Sequence, residues 1–207
     1  MPEIERLRAA TQAAVSWLCE PGDPVLVLAA GEHGRVPSGS TLGATAYGLG
    51  YRTRLGAGAG APGGADLTPR TPGLLVAGYL LNGHRAEAIE VAGIEPAIGQ
   101  AAALAPTAVL VCGGGSARRR DGAPGYVDPR AMPYDDLLAD RVAAPDLAAL
   151  AAADLDLAAE LLCDLARPLT VASTLAAGWT QPLRAAVDSY CAPYGVANIV
   201  ARWWTDA

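Results

Sequence analysis

The best candidate for binding chemistry is the segment Gly113-Gly114-Gly115-Ser116-Ala117-Arg118-Arg119-Arg120. It follows a predicted buried strand, and open α/β sheets hold their ligands at the carboxyl ends of strands. Glycines let backbone N–H groups converge on an anion, and arginines donate paired hydrogen bonds to a carboxylate or phosphate. We therefore predict a small anionic ligand here, bound by Gly113, Gly114, Gly115, Ser116 and Arg118. The simpler alternative is a surface turn whose arginines pair with Asp121 and other acids.

The chain has only two histidines, and one of them is a candidate metal ligand. His33 follows the predicted strand Val25–Leu28, where a histidine would face a ligand. With Glu32 and His84 it would supply the two histidines and one carboxylate that hold Fe(II) in many oxygenases. His84, however, follows a predicted helix end, where a histidine commonly serves as a cap. A metal site is thus the minority interpretation, with His33 as its one predicted ligand.

Other patterns give weaker signals. The stretch Gly58–Gly63 matches GxGxxG but lacks the preceding strand and following helix that hold a dinucleotide, and residues 56–64 as a whole resemble a mobile linker. No GxSxG elbow surrounds any serine, which argues against a hydrolase. The acidic residues are interpreted as solvated on helical faces; they are Asp135, Asp136, Asp154, Asp156 and Glu160.

Composition limits the classes of protein that the chain can belong to. Its 207 residues are 52% hydrophobic and 17% charged, which predicts one globular domain spanning residues 1–207. A net charge of -6 and the lack of phenylalanine argue against nucleic acid as a partner. No apolar run is long enough to cross a membrane and residues 1–6 do not resemble a signal peptide, so a cytoplasmic protein is expected. The four cysteines are widely spaced and are expected to be reduced core thiols.

Hydrophobic periodicity predicts alternating strands and helices, and hence a mixed, mostly parallel central sheet flanked by helices. The predicted strands are Val25–Leu28, Tyr51–Leu55 at an edge, Ala86–Val91, Thr107–Cys112, Arg184–Tyr190 and Val196–Trp203. The predicted helices are Glu3–Cys19, one beginning at Thr71-Pro72 and ending before Gly83, Glu95–Ala105, Tyr134–Val142, Asp146–Ala152 and Leu155–Ala166. The segment Arg167–Gly178 is compatible with either a strand or a helix.

Two stretches resemble a known family. The strand Val109–Cys112 with its glycines, followed by Asp121-Gly122-Ala123-Pro124-Gly125-Tyr126 and the segment 127–130, is similar to the B-subunit superfamily of class III extradiol ring-cleavage dioxygenases, which includes the MEMO-type proteins. The similarity continues through Pro133-Tyr134-Asp135 and Ala192–Val196. It covers about residues 107–203 and, loosely, 23–35, and is greatest to short actinobacterial members.

The resemblance implies an α/β sheet with a cleft at its strand ends, and Fe(II) with a proton-transferring histidine in active members. That histidine falls on Ala117, whose methyl group cannot exchange a proton. The family's N-terminal strand, with its first iron ligand, has no counterpart ahead of helix 1. Tyr126 joins the predicted ligand-binding residues through this similarity.

We therefore expect a catalytically degenerate member that needs no cofactor and binds a small anionic ligand or a protein partner, with oligomers allowed. The alternatives are an active Fe(II) ring-cleavage dioxygenase that uses His33, and a purely structural protein with an apolar surface patch.

Overall fold

The structure, a computed structural model, describes residues 2–56 and 65–206 as a mixed α/β protein. Its central sheet has four strands in the order β2-β6-β1-β7, with β1, β6 and β7 parallel and β2 antiparallel at one edge. These strands are β1 (Val25–Ala30), β2 (Gly34–Val36), β6 (Ala86–Val91) and β7 (Ala108–Cys112). The prediction of a mostly parallel sheet is confirmed.

The β-branched and leucine-rich run Val25–Leu28 forms the centre of this sheet because both of its faces are covered. All residues of β1 are buried. Its odd-numbered side chains pack with α1 (Pro2–Cys19) and α2 (Pro72–Leu80). Its even-numbered side chains pack with α3 (Ile94–Leu104) and α7 (Ala166–Ala176). Helices therefore flank the sheet on both sides, as predicted.

Strand β7 differs from the expectation of a strongly buried strand. Val109, Leu110 and Val111 are only half-buried. The reason is that β7 is the outer strand of the central sheet and has β1 as its neighbour on one side only.

A second, three-stranded sheet contains β3 (Thr41–Gly43), β4 (Arg52–Arg54) and β5 (Asp66–Leu67) in the order β4-β3-β5. The predicted edge strand at Tyr51–Leu55 is confirmed as β4. Strands β2 and β3 lie in a Gly- and Ser-rich stretch whose composition predicts mostly loop, because three-residue strands leave too little alternation to detect. The GxGxxG match at Gly58–Gly63 falls outside the described residues.

The helices after the glycine loop follow the prediction with one correction. They are α4 (Ala131–Ala143), α5 (Leu147–Ala151) and α6 (Leu155–Glu160). The segment Arg167–Gly178, which is compatible with a strand or a helix by sequence, forms most of helix α7. The predicted helix Leu155–Ala166 is wrong at its carboxyl end, because α6 stops at Glu160 and Leu162 adopts a φ of 57°. That left-handed residue reverses the chain and allows Asp164 to turn back toward the glycine loop.

The last two predicted strands are present as β8 (Leu183–Cys191) and β9 (Asn198–Thr205), and they pair as an antiparallel hairpin. The hairpin is a sheet of its own and is not hydrogen-bonded to the central sheet through β7. Trp203 on β9 anchors it to α4, since its indole N–H donates to the Val142 carbonyl at 2.9 Å. Among the described residues, no helix combines the length and apolarity needed to span a bilayer.

Candidate functional site

The chain topology creates a crevice at the carboxyl edge of the central sheet. The connection after β1 leads to α2 on one face, and the connection after β6 leads to α3 on the other. Open α/β sheets hold ligands outside the carboxyl ends of their strands. A ligand site is therefore expected among the residues that follow β1 and at the end of β6.

Glu90, near the end of β6, is the main polar residue at this edge. It is 1% exposed. Its Oε2 accepts the backbone N–H of His33 at 3.0 Å and that of Glu32 at 3.2 Å, and it also contacts His33 Nδ1. Its Oε1 is buried and meets no hydrogen-bonding group of residues 2–56 or 65–206. A buried carboxylate oxygen without a donor is costly, and is therefore a candidate contact for a ligand.

Gly31 is required for this arrangement. A Cβ atom added at Gly31 would lie 2.3 Å from the Glu90 carboxyl carbon. The glycine at the end of β1 thus lets the backbone of Glu32 and His33 fold over the carboxylate and donate to it. The sequence analysis does not identify Glu90 as a site residue. The sequence nevertheless carries a signal, because Glu90 is an acid in a strand whose other residues, apart from Glu87, are apolar.

The predicted Fe(II) triad of Glu32, His33 and His84 does not assemble. His33 pairs with Glu90, whereas the Glu32 side chain is exposed and forms an ion pair with Arg70 at 3.4 Å. His84 is exposed in the turn after α2, where its backbone N–H donates to the Leu81 carbonyl. Within residues 2–56 and 65–206, no group of three or more His, Cys, Asp and Glu side chains is placed to hold a metal ion.

The glycine loop does gather its backbone N–H groups, but they serve acceptors of the chain itself. Gly114 N–H donates to the Asp164 carboxylate, and Ser116 N–H donates to Asp135 Oδ1 at 2.8 Å. Two backbone carbonyls accept two more, that of Ala197 from Gly115 at 2.8 Å and that of Leu161 from Ala117 at 3.0 Å. The amides of Gly114, Gly115 and Ser116, three of the residues in the predicted anionic site, are therefore occupied.

The glycines of this loop are explained by close packing. A Cβ at Gly113 would lie 2.7 Å from the Leu165 Cα, and one at Gly115 would lie 2.7 Å from the Ala197 Cβ and 2.9 Å from Asp135 Oδ1. Only glycine allows the loop to lie against these neighbours. Ser116 is also fully buried, with its hydroxyl donating to Asp135 Oδ2 at 2.5 Å.

The prediction that Asp135 and Asp136 are both solvated is wrong for Asp135. Asp135 is 0% exposed, while the Asp136 side chain remains 54% exposed. Burial raises the pKa of Asp135, although the hydrogen bonds from Ser116 and the charge of Arg119 act in the opposite direction. Arg119, whose side chain is 13% exposed, lies 3.4 Å from Asp135 Oδ2 and donates to the Tyr190 hydroxyl at 2.7 Å. Of the three consecutive arginines Arg118, Arg119 and Arg120, Arg119 is thus the one whose side chain is held by internal contacts.

The remaining residues of the predicted anionic site do not converge. Arg118 reaches the Tyr126 carbonyl with Nη1 at 3.4 Å, and Arg120 is exposed. The Tyr126 side chain is 89% exposed. Tyr126 therefore lines no enclosed site, and the loop holds Arg118 through a backbone group.

A second acid, Asp164, lies beside the glycine loop and accepts the Gly114 N–H. Burial raises its pKa, against the opposing effect of the Gly114 N–H. Burial raises the pKa of the Tyr47 phenol, and the negative charges of Asp164 and Glu90 act in the same direction. Cys112 at the end of β7 has its pKa raised to about 12 by burial and by Asp164. Glu90 and His33 thus lie together at the ends of β6 and β1, and Asp164 lies beside the loop that follows β7.

Compared with models of known protein families and with curated proteins, the chain matches none of them.

Proposed function

We propose that this chain is a catalytically altered protein of the class III extradiol dioxygenase type that binds a small organic ligand at the carboxyl edge of its parallel sheet. The observation that carries the proposal is the Oε1 of buried Glu90, which meets no hydrogen-bonding group of the described residues and lies beside His33 where β1 and β6 end. The resemblance over residues 107–203 and the mostly parallel sheet support the family part of the proposal.

The chemistry of the crevice favours a ligand that donates hydrogen bonds. Glu90 and Asp164 are acceptors, and the loop amides that would attract an anion are used by Asp164 and Asp135. A second anion would have to displace one of these carboxylates and would be repelled by the other. We therefore replace the predicted anionic ligand by a neutral ligand with hydroxyl groups, such as a catechol, whose O–H donates to Glu90 Oε1.

Ring cleavage requires groups that the described residues do not bring together. Fe(II), when bound in an extradiol dioxygenase, activates the catechol and dioxygen, and it needs at least three protein ligands. His33 and Glu90 are two ligand types side by side, which is the one observation in favour of the dioxygenase alternative. No third group joins them within residues 2–56 and 65–206, and Ala117 stands where the resemblance requires a proton-transferring histidine. The residues present do not fit the metal.

The test is a nuclear magnetic resonance titration of the protein with catechol in the presence of a chelator. The expected result is a saturable shift of the Glu32 and His33 amide signals, because both N–H groups share the Glu90 carboxylate with the ligand. Glu90→Gln replaces the charged acceptor and should weaken binding by roughly 10- to 150-fold, since a hydrogen bond to a charged group contributes about 1.5–3 kcal/mol. Glu87→Gln, a half-buried acid on the same strand, is the matched control and should bind as the wild type does.

Two outcomes would contradict the proposal. If catechol leaves the Glu32 and His33 signals unmoved at millimolar concentration, the crevice does not bind this class of ligand. If ferrous iron and catechol produce oxygen uptake that His33→Ala abolishes, the dioxygenase alternative is correct and the protein is not catalytically altered.

A further inference from the structure

We propose that the cleft between β7 and β9 is a one-strand gap that binds an extended, apolar segment of a partner polypeptide and thereby joins the hairpin to the central sheet. The cleft has a volume of about 910 Å³. Its lining does not include Glu90, His33 or Asp164.

The edges of two strands face this cleft. Strand β7 is the outer strand of the central sheet, and β9 has only β8 as a neighbour within the hairpin. Consecutive residues of both strands, Thr107–Gly114 and Asn198–Thr205, line the cleft. Because neighbouring side chains of a strand point to opposite faces, a cavity that touches every residue must lie along the backbone edge. The cleft is therefore flanked by two rows of backbone donors and acceptors.

The two strands meet at one end of the cleft, which fixes their directions. Beyond β7, Gly115 N–H donates to the Ala197 carbonyl at 2.8 Å, and Ala197 N–H donates to the Ser116 carbonyl at 3.0 Å. From this junction the chain runs backward along β7 and forward along β9. The two strands are thus antiparallel to each other and separate as they leave the junction.

Helices cover both faces of the gap. On one face α1 contributes Leu7, Trp17 and Leu18, and on the other α7 contributes Leu169 and Leu175. The side chains of the flanking strands follow the same division. Leu110 packs in the cluster that contains α1, and Val109 packs in the cluster that contains α7. A strand that filled the gap would be buried on both faces, and such strands are nearly continuous apolar runs.

These features together specify the occupant. A lipid chain or an aromatic ring would fill the apolar faces but leave both backbone rows unpaired, at a cost for each buried group. An extended polypeptide satisfies both rows, as in other complexes that add a strand to a sheet edge. Strand β7 has 5 residues, so an occupant of similar length is about 17 Å long at 3.3 Å per residue. We infer a five- or six-residue apolar segment.

The experiment uses a synthetic peptide in which Val-Leu-Val-Leu-Ala-Ala is flanked by two lysines at each end for solubility. This is the sequence of β1, the strand of this chain that is buried on both faces. All four tryptophans, Trp17, Trp179, Trp203 and Trp204, line the cleft, so intrinsic fluorescence reports its occupancy. Hydrogen exchange should show that amides in β7 and β9 exchange rapidly in the free protein and slow together, by at least tenfold, when the peptide binds.

A proline control separates strand addition from simple apolar contact. The same peptide with its second valine replaced by proline loses a backbone donor and should bind at least tenfold more weakly. In the protein, Leu110→Asp places a charge in the gap and should weaken the binding of the peptide by more than tenfold. Leu137→Asp, at an exposed leucine of α4, should leave binding unchanged. Thermal melts of both variants show whether they remain folded.

Several results would overturn the inference. Amides of β7 and β9 that are already protected along both edges in the free protein would mean that the gap is closed. Equal binding of the proline peptide would identify an apolar pocket without strand addition. Self-association that the peptide reverses would assign the gap to a second copy of the chain. Absence of any fluorescence or exchange change with the peptide at millimolar concentration would exclude an extended segment.

Discussion

Removal of the Asp135 carboxylate should destabilise the protein strongly, although Asp135 lies beyond the proposed ligand crevice. In Asp135→Ala the buried Ser116 N–H loses its acceptor, which costs about 2 kcal/mol, and Arg119 loses one of its partners, which adds roughly 1 kcal/mol because Asp136 and Tyr190 remain. The expected loss in the free energy of unfolding is therefore about 3 kcal/mol. Urea denaturation followed by circular dichroism measures it, with the slope of the unfolding curve unchanged.

Asp136→Ala is the matched control, since it removes the same group one residue along α4. The Asp136 side chain is 54% exposed, and a surface pair of this kind contributes less than about 1 kcal/mol. Asp135→Asn keeps an acceptor for Ser116 and should lie between the two. If Asp135→Ala and Asp136→Ala lose the same free energy, the glycine loop is not held by an internal carboxylate, and its amides are free for an external anion after all.

Three further predictions concern Asp164 and the cysteines. Burial raises the folded-state pKa of Asp164 above its unfolded value of 3.8, so its stabilising contribution is complete below pH 3.8 and is lost as the pH rises through the folded pKa. Asp164→Asn cannot ionise, so its free energy of unfolding relative to the wild type should increase between pH 4 and pH 7, and a constant difference in urea titrations would refute this. Asp164→Ala frees the Gly114 N–H and removes a negative charge, so calorimetry should detect inorganic phosphate binding in the variant but not in the wild type; equal heats in both would contradict it. In the native protein a thiol reagent at pH 8 should label half-buried Cys191 first and leave buried Cys112, whose pKa is about 12, unlabelled until urea is added; equal labelling rates would contradict it.

The fold was largely predictable because its elements have strong local patterns. The run Val25–Leu28 and the segment Ala86–Val91 indicated strands, and Thr71-Pro72 indicated the start of α2. Where the prediction from sequence was wrong, the structure is determined by tertiary contacts. Thr71 donates its hydroxyl to the Ala30 carbonyl and does not cap α2, so it attaches the helix to the end of β1.

The candidate site was less predictable because its groups are distant in sequence. Glu90 and His33 are 57 residues apart, and Gly114 and Asp164 are 50 apart. The sequence indicated which end of the sheet to consider, and both His33 and the glycine loop lie there. It could not indicate that the chain would supply its own carboxylates to the loop, since an acid that fills an anion site has the same local sequence as a solvated one.

The internal carboxylates explain what holds the glycine loop in place without a ligand. Gly113 and Gly115 are needed for contact with Leu165 and Ala197, and the Ser116 N–H is needed by Asp135. These contacts connect the loop after β7 to α4, to the start of α7 and to the start of β9, so that loss of any one would detach the loop from one of these elements. The loop is consequently retained by packing whether or not a ligand binds beside it. Two buried polar atoms of the described residues meet no hydrogen-bonding group, Glu90 Oε1 and Arg118 Nε, and Glu90 Oε1 is the one that lies where β1 and β6 end.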